Sequence, residues 1–162
     1  MRVWRLPAEV DTDQLAPGAT MKFGIDVTAR HCLEALRPDF ATQVQPGDVI
    51  VAGEFFGVGS SREQAAEVLV HLGVAAVIAP SFAGLFFRNA FNVGLLLLTC
   101  PQAVLIDDAE TLEFDARAGR VTRTSADRPT AVFECQPIPA FLLDMVEAGG
   151  LLPQLKKRLE KR

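Results

Sequence analysis

A glycine-rich turn between an apolar segment and a helical segment constrains this chain more than any other stretch of its sequence. The turn region, Gly53–Glu63, follows the apolar run 48–52 and leads into a predicted helix over 63–72. Gly57 and Gly59 can adopt positive φ and bring the backbone close to a ligand. Free N–H groups and the positive end of the helix dipole attract anions at a helix start. The pattern therefore indicates a site for a small anionic substrate.

Three polar side chains, Ser60, Ser61 and Arg62, lie at the end of this turn. Arg62 can hold a carboxylate or a phosphate through two parallel hydrogen bonds, and either serine hydroxyl can take part in chemistry. The same residues also fit a capping box, Ser60-x-x-Glu63, without any catalytic role, so the local pattern leaves both interpretations open. The glycine spacing does not fit a Walker loop, a dinucleotide-binding fingerprint or an esterase elbow.

Length and composition predict one globular domain. The chain has 162 residues, of which 49% are hydrophobic and 22% charged, enough for a sizeable core. A net charge of −4 gives no general reason to expect nucleic acid or an anionic membrane as a partner. The N-terminal residues do not resemble a signal peptide, and no apolar run approaches the roughly 20 residues that span a bilayer. We expect a cytoplasmic protein that forms a single domain over 1–162, with a C-terminal tail over about 153–162.

The cysteines and histidines do not have the spacing of a metal site. Cys32, Cys100 and Cys135 are far apart in the chain, which indicates reduced, individually buried thiols. A histidine ligand or a Ser-His-Asp triad would have to use His31 or His71. We therefore expect no metal site in this chain.

The remaining pattern predicts an α/β chain whose second half is rich in short strands. The apolar run 74–79 is typical of a strand buried on both faces of a parallel sheet, and together with the preceding strand and helix it forms a βαβ unit. The predicted strands cover 3–6, 49–52, 74–79, 95–99, 104–106, 111–115, 121–124 and 131–135. The predicted helices cover 27–36 with Asp26 as N-cap, 63–72, 82–91 and 139–148, and an amphipathic tail covers 151–162.

Several segments resemble a known family in chain order. They are Asp11-Thr12-Asp13-x-Leu15-x-Pro17, Ala29-Arg30-His31-Cys32, 36–40, 46–53, Phe56-Gly57-x-Gly59-Ser60-Ser61-Arg62-Glu63, 77–83, Phe87-Arg88-Asn89 and Asn92-x-Gly94-Leu95. Together they resemble the small subunit of 3-isopropylmalate dehydratase and its relatives, the free-standing swivel domain of the aconitase superfamily. The resemblance covers about residues 2–155, and its most specific part is Gly-Ser-Ser-Arg-Glu.

This resemblance implies a β/β/α swivel-type fold with a mixed sheet and flanking helices. It implies the small subunit of a heteromeric hydro-lyase that is inactive without a large subunit, in a heterodimer or heterotetramer. The large subunit would carry a [4Fe-4S] cluster on its own cysteines, and this chain would hold no cofactor. The pair would dehydrate or isomerise a hydroxy-di- or tricarboxylate such as 3-isopropylmalate, a step of leucine biosynthesis. Whether the isolated chain self-associates stays open.

The resemblance also assigns roles to the polar residues of the turn. Ser60 matches the catalytic serine that acts as an alkoxide base on the carbon next to a carboxylate, and Arg62 matches the arginine that binds a substrate carboxylate. Ser61 and Asp13 would line the substrate cleft. A serine hydroxyl is a very weak base at neutral pH, so its alkoxide needs nearby positive charge or N–H groups. Arg62 and the helix start can supply part of that charge.

The loop after Pro17 departs from the family pattern. Isopropylmalate enzymes typically carry Tyr-Leu-Arg there, in a loop that reads the substrate side chain, whereas the best match in this chain is Thr20-Met21-Lys22. Lys22 keeps a positive charge but loses the bidentate fork of arginine, and Thr20 and Met21 change the shape of the pocket. The departure predicts a substrate other than isopropylmalate, such as homoaconitate or a methyl-substituted malate, or a relaxed preference.

Two other hypotheses remain open. The chain could be a non-catalytic scaffold or a regulator that binds an organic acid, which the presence of Ser60, Ser61 and Arg62 disfavours. It could also be an unrelated phosphate-binding α/β module, which would bind phosphate rather than a dicarboxylate. Phe55, Phe56 and Phe86 could belong either to a partner interface or to the core.

Overall fold

The structure is a computed structural model that describes residues 1–108 and 110–160. Its strands are β1 (Val3–Arg5), β2 (Val49–Val51), β3 (Ala76–Ala79), β4 (Leu96–Thr99), β5 (Thr111–Asp115), β6 (Arg120–Thr124) and β7 (Ala131–Glu134). Its α-helices are α1 (Thr12–Leu15), α2 (Ile25–Arg30), α3 (Phe40–Gln43), α4 (Glu63–His71), α5 (Gly84–Asn92), α6 (Ala140–Ala148) and α7 (Leu151–Glu160). Short 3₁₀ helices cover Met21–Phe23 and Pro101–Leu105.

The first sheet is parallel, with strand order β1-β2-β3-β4. Every residue of β2 and β3 is buried, as the apolar runs predicted. Successive side chains point to opposite faces, so this sheet contributes side chains to two hydrophobic cores, one on each face. Ile50 and Val77 belong to the core on the face that the helices cover. Val49, Val51 and Ile78 belong to the core on the other face.

The second sheet is antiparallel, with strand order β5-β6-β7. Leu112, Val121 and Phe133 extend from it into the core on the second face of the parallel sheet. An antiparallel bridge between Arg2 and Thr111 connects the two sheets. The fold class is confirmed, because a layer of helices, a parallel sheet and an antiparallel sheet together form a β/β/α arrangement.

Two predicted elements differ from the structure. The predicted strand over 104–106 is wrong, because Pro101–Leu105 forms a 3₁₀ helix that begins at a proline, which favours a helix start. The predicted helix over 27–36 is shorter and begins earlier, at Ile25. Asp26 is not its N-cap, because Gly24 occupies that position with φ 92°. The chain leaves the helical path before Leu33, whose φ is 60° and whose N–H donates to Gln14 C=O at 2.8 Å.

The two C-terminal helices follow the sequence pattern. Gly149, at φ 87°, ends α6 in the left-handed conformation, as expected for a glycine C-cap. Helix α7 is amphipathic. Its first leucine, Leu151, packs against the core under the helices, whereas Leu152 and Leu159 are each 70% exposed. The last two residues of the predicted tail, 161–162, lie outside the described residues. Over the part of the chain that the structure describes, no helix combines the length and the apolar character needed to cross a membrane.

Candidate active site

The turn between β2 and α4 requires both of its central glycines. Gly57 and Gly59 have φ of 84° and 100°, which side-chain-bearing residues rarely adopt. A Cβ at Gly57 would lie 2.2 Å from Cγ of Phe86, and one at Gly59 would lie 2.7 Å from Oδ2 of Asp11. The prediction of positive φ at these two positions is confirmed, and close packing adds a second reason for glycine.

The two serines of the turn are not helix caps. The N-cap of α4 is Arg62, with extended backbone and no capping hydrogen bond from its side chain. Ser60 lies two residues before that position, so the capping-box interpretation of Ser60-x-x-Glu63 is wrong. Ser60 and Ser61 are both exposed, and neither hydroxyl has a hydrogen-bond partner within residues 1–108 and 110–160. Both hydroxyls can therefore meet a ligand.

A segment from the start of the chain holds the glycine-serine turn in place. Gly57 N–H donates to Val10 C=O at 2.8 Å, and Thr12 N–H donates to Val58 C=O at 2.8 Å. The Thr12 hydroxyl donates to the backbone carbonyl of Ser60 at 3.0 Å. Thr12 is only 2% exposed, so the donor of this bond is buried although Ser60 is exposed. Sequence reasoning did not assign Thr12 to the site, and its only signal was a hydroxyl between two aspartates in a turn.

The two aspartates that flank Thr12 form different hydrogen bonds. Asp11 accepts the N–H of Asp13 at 2.6 Å and forms a capping box with Gln14 at the start of α1. Asp13 instead accepts a hydrogen bond from Nη1 of Arg62 at 2.5 Å. The same Nη1 donates to the Ala16 carbonyl, at 3.1 Å. The site arginine is thus anchored by both ends of α1.

The ion pair between Asp13 and Arg62 uses only one edge of the guanidinium. The Arg62 guanidinium, and with it the Gly18 N–H, holds the pKa of Asp13 below its ordinary value of 3.8, so Asp13 stays ionised at neutral pH. Nη2 and Nε of Arg62 have no partner among the residues that the structure describes. That edge of the guanidinium can bind a carboxylate in two-pronged fashion.

The loop that contains Thr20, Met21 and Lys22 begins beside the same pair. Gly18 N–H donates to Oδ1 of Asp13 at 3.0 Å. The Thr20 hydroxyl donates to Pro17 C=O at 2.8 Å, so it is used within the turn. Met21 is half-buried and Lys22 is exposed. The Lys22 ammonium lies 5.0 Å from the ring centroid of Phe23, itself 62% exposed.

The phenylalanines near the turn divide between core and surface. Phe56 and Phe86 are buried, with ring centroids 5.2 Å apart in an edge-to-face pair. Phe55 is 52% exposed with φ 55°, and its N–H donates to Oγ of Ser81 at 2.9 Å. Of the three residues, only Phe55 is accessible to a partner.

The cysteines of this chain do not fit an iron–sulfur cluster. Cys32 belongs to the core under the helices, whereas Cys100 and Cys135 belong to the core on the other face of the parallel sheet. All three thiols are buried, and burial raises the pKa of Cys32, which keeps the thiol protonated and unsuited to metal binding. Within the described residues, no group of three His, Cys, Asp or Glu side chains could hold a metal ion.

Comparisons with known proteins place this geometry in a family. The sequence model of the protein family named aconitase C-terminal domain matches residues 16–103, which include the glycine-serine turn. The homoaconitase small subunit of Methanothermobacter thermautotrophicus is 42% identical over 160 residues, covering 98% of this chain and 91% of that protein. The 3-isopropylmalate dehydratase small subunit of Methanosarcina mazei is 40% identical over 163 residues, covering 99% of this chain and 98% of that protein.

A solved structure supports the same assignment. The crystal structure of 3-isopropylmalate dehydratase (LeuD) from Methanocaldococcus jannaschii has a TM-score of 0.87 with this chain at 37% identity, covering 97% of this chain and 92% of that one. The chain therefore belongs to the aconitase C-terminal domain family, together with the small subunits of 3-isopropylmalate dehydratase and homoaconitase.

Proposed function

We propose that this chain is the small subunit of a hydro-lyase that removes and re-adds water on a hydroxy-di- or tricarboxylate, with Ser60 as its catalytic base. The proposal rests on Ser60 and Arg62, which lie two residues apart. Among the residues that the structure describes, the Ser60 hydroxyl has no hydrogen-bond partner, and Arg62 is anchored through Nη1 while Nη2 and Nε have none. The names of the relatives support the assignment to a small subunit.

In this proposal, Arg62 binds a substrate carboxylate through Nη2 and Nε while Nη1 stays bonded to Asp13 and Ala16. The bound carboxylate places the adjacent carbon near Ser60, whose alkoxide removes the proton. The positive charge of Arg62 stabilises that alkoxide, which water alone would not support at neutral pH. Ser61, exposed next to Ser60, lines the substrate cleft.

We assign the activation of the departing hydroxyl group to the partner subunit. Since the cysteines of this chain lie in two separate cores, we place the [4Fe-4S] cluster on a separate large subunit. When bound there, such a cluster supplies Lewis-acid activation of the hydroxyl group. The active site then forms between the two subunits, so neither is active alone.

The choice of substrate depends on the loop with Thr20, Met21 and Lys22. The exposed Lys22 ammonium suits a carboxylate better than the branched apolar group of isopropylmalate. The homoaconitase name of one relative agrees with a substrate that carries a third carboxylate. We therefore propose homoaconitate ahead of isopropylmalate. A methyl-substituted malate is the alternative, because Thr20 and Met21 change the shape of the pocket.

The test is activity of the assembled complex. The chain is produced anaerobically with its large subunit. Formation of the unsaturated acid is followed with isopropylmalate and methyl-substituted malates, and consumption of the unsaturated acid is followed with homoaconitate, which the enzyme would hydrate. Ser60→Ala should lower kcat by about 10²–10⁴-fold with little change in KM, because it removes the base but not the binding groups. Ser125→Ala, a serine whose Oγ accepts the Asp127 N–H in the antiparallel sheet region, is the matched control and should leave kcat unchanged.

Two results would count against the proposal. Full activity of Ser60→Ala would remove the serine from the chemistry. A complex that assembles but is inert on the whole panel would favour the non-catalytic scaffold. A clear preference for isopropylmalate would overturn only the substrate assignment.

A further inference from the structure

We propose that Asp13 is a positioning residue that links the substrate-reading loop, residues 18–24, to the carboxylate-binding Arg62, and that it does not itself bind substrate. The inference rests on the proposed function and deepens it, because it states how recognition of the substrate side group reaches the carboxylate-binding arginine.

The link is a shared hydrogen-bond acceptor. One oxygen of Asp13, Oδ1, accepts both the Gly18 N–H at 3.0 Å and Nη1 of Arg62 at 2.5 Å. Gly18 lies so close that a Cβ added to it would be 3.4 Å from this oxygen and 3.6 Å from Nη2 of Arg62. The first residue of the loop and the arginine therefore cannot move independently without breaking a bond to Asp13.

The negative charge of Asp13 disfavours its direct contact with a substrate carboxylate. A carboxylate already paired with Arg62 repels a second carboxylate unless a cation lies between them. Arg62 is that cation, with Asp13 on its Nη1 side and the free Nη2 and Nε on the other. Asp13 thus acts on the substrate only through the orientation of the guanidinium.

Hydrogen bonds hold both ends of the link. Asp13 lies in α1, which the Asp11–Gln14 capping box stabilises. On the loop side, Thr20 bonds Pro17 C=O with both its N–H, at 2.9 Å, and its hydroxyl, at 2.8 Å. A displacement at Thr20–Lys22 is therefore passed to Gly18 rather than absorbed between Pro17 and Thr20.

This geometry predicts a distinct effect of Asp13→Asn in the assembled enzyme. The amide keeps the size of the side chain but weakens the charge-assisted bond to Arg62. KM should rise by about tenfold for the best substrate and by less for the second-best, with a smaller fall in kcat, since the guanidinium is no longer held. In addition, the ratio of kcat/KM between the best and the second-best substrate should fall several-fold toward one, because the loop and the arginine become uncoupled.

Asp26→Asn is the matched control. Asp26 is an exposed acid in α2, just after the loop, and it pairs with His71 at 3.1 Å rather than with Arg62. This variant should leave KM and the substrate ratio unchanged. A double-mutant cycle of Asp13→Asn with Lys22→Ala should be non-additive in the substrate ratio, as expected for residues that act through one link.

A measurement without turnover tests the link itself. In the complete isolated chain, Asp13→Asn should shift the Gly18 amide and the Arg62 Nε–H signals together in ¹⁵N-resolved NMR spectra, whereas Asp26→Asn should shift neither. If Gly18 or Arg62 fails to respond, the shared bond does not exist in solution and the inference is overturned.

The failures of the two proposals can be told apart. A wild-type complex that is inert on every substrate would overturn the proposed function and the inference with it. An active complex in which Asp13→Asn raises KM equally for all substrates, with the substrate ratio intact, would overturn the inference alone. That outcome would assign Asp13 a structural or direct binding role.

Discussion

At the scale of single residues, Thr12 shows how a buried hydroxyl can serve an exposed site. Its Oγ bonds the Ser60 carbonyl and its N–H bonds the Val58 carbonyl, so one residue fixes the backbone on both sides of Gly59. The Ser60 side chain remains free because the contact uses only the backbone of Ser60. The orientation of the proposed base is therefore set from a different part of the chain.

Thr12→Val should lower both stability and turnover. Valine fills the same space but leaves the Ser60 carbonyl without its donor, so the free energy of unfolding should fall by about 1 kcal/mol. The kcat of the complex should fall by about 10–100-fold, because a shifted Ser60 no longer faces the reacting carbon. Chemical denaturation of the isolated chain and steady-state kinetics of the complex measure the two effects.

Two variants separate the effects of this substitution. Thr12→Ser keeps the hydroxyl and should retain most of the activity. Thr42→Val removes a hydroxyl that donates to Asp39 C=O at 3.0 Å on the surface, and should leave kcat unchanged. A Thr12→Val enzyme that is less stable but turns over at the wild-type rate would show that Thr12 does not orient Ser60.

At the scale of elements, the unit of β2, glycine-serine turn and α4 combines local preference with close packing. Three glycines of the chain have similar positive φ but different surroundings: Gly47 at 94°, Gly57 at 84° and Gly59 at 100°. Nothing lies within 4 Å of a Cβ at Gly47, whereas a Cβ at Gly57 would overlap the Phe86 ring. The cost of placing a side chain at positive φ and the cost of the steric overlap can therefore be measured separately.

Alanine substitutions of these glycines should fall in a definite order. Gly47→Ala should cost about 1 kcal/mol in stability, the penalty for placing a side chain at positive φ. Gly59→Ala should cost more, because its Cβ meets an oxygen of Asp11, and Gly57→Ala should cost the most, because its Cβ meets a buried ring. Urea denaturation of the three variants gives the comparison, and equal losses at all three positions would show that the steric overlap adds no cost.

At the scale of the whole molecule, the parallel sheet separates two cores, and helix α7 packs against the helix-covered core through its first residue, Leu151. Leu143 of α6 is 6% exposed and packs into the core between the sheets. The leucines of α7 beyond residue 151 are largely accessible, with Leu155 43% exposed and Leu159 70% exposed. The rest of the final helix therefore adds little to the packing that holds the domain together.

Removal of residues 153–162 should leave the domain folded. The truncated chain should lose at most about 1 kcal/mol, a shift in Tm of about 2–4 °C, because it exposes little apolar surface that was buried. Leu143→Ala is the contrasting variant and should cost about 2–5 kcal/mol, since it leaves a cavity in the core. Loss of cooperative thermal unfolding after truncation would show that the tail is an integral part of the domain.

Some features of this protein followed from the sequence because they depend on neighbouring residues. The strand–turn–helix unit at 49–71, the buried run 76–79 and the glycine end of α6 could all be predicted, since apolar runs and glycine positions report local backbone preferences. The serine–arginine motif was visible in the same way, whereas the departure of the loop at Thr20–Lys22 was visible only against the family pattern. The apolar runs and glycine positions were sufficient to predict an α/β chain, whereas the β/β/α arrangement and the roles of the site residues came from the family resemblance.

Other features were decided only by the tertiary structure. The predicted helix over 27–36 was too long because Leu33 adopts φ 60° and donates its N–H to the C=O of Gln14, far away in the chain. The bonds from Thr12 to Ser60 and from Asp13 to Arg62 join residues 48 and 49 positions apart. No local preference specifies such pairs, because they form only when packing of the two segments on the parallel sheet brings their polar groups within hydrogen-bond distance.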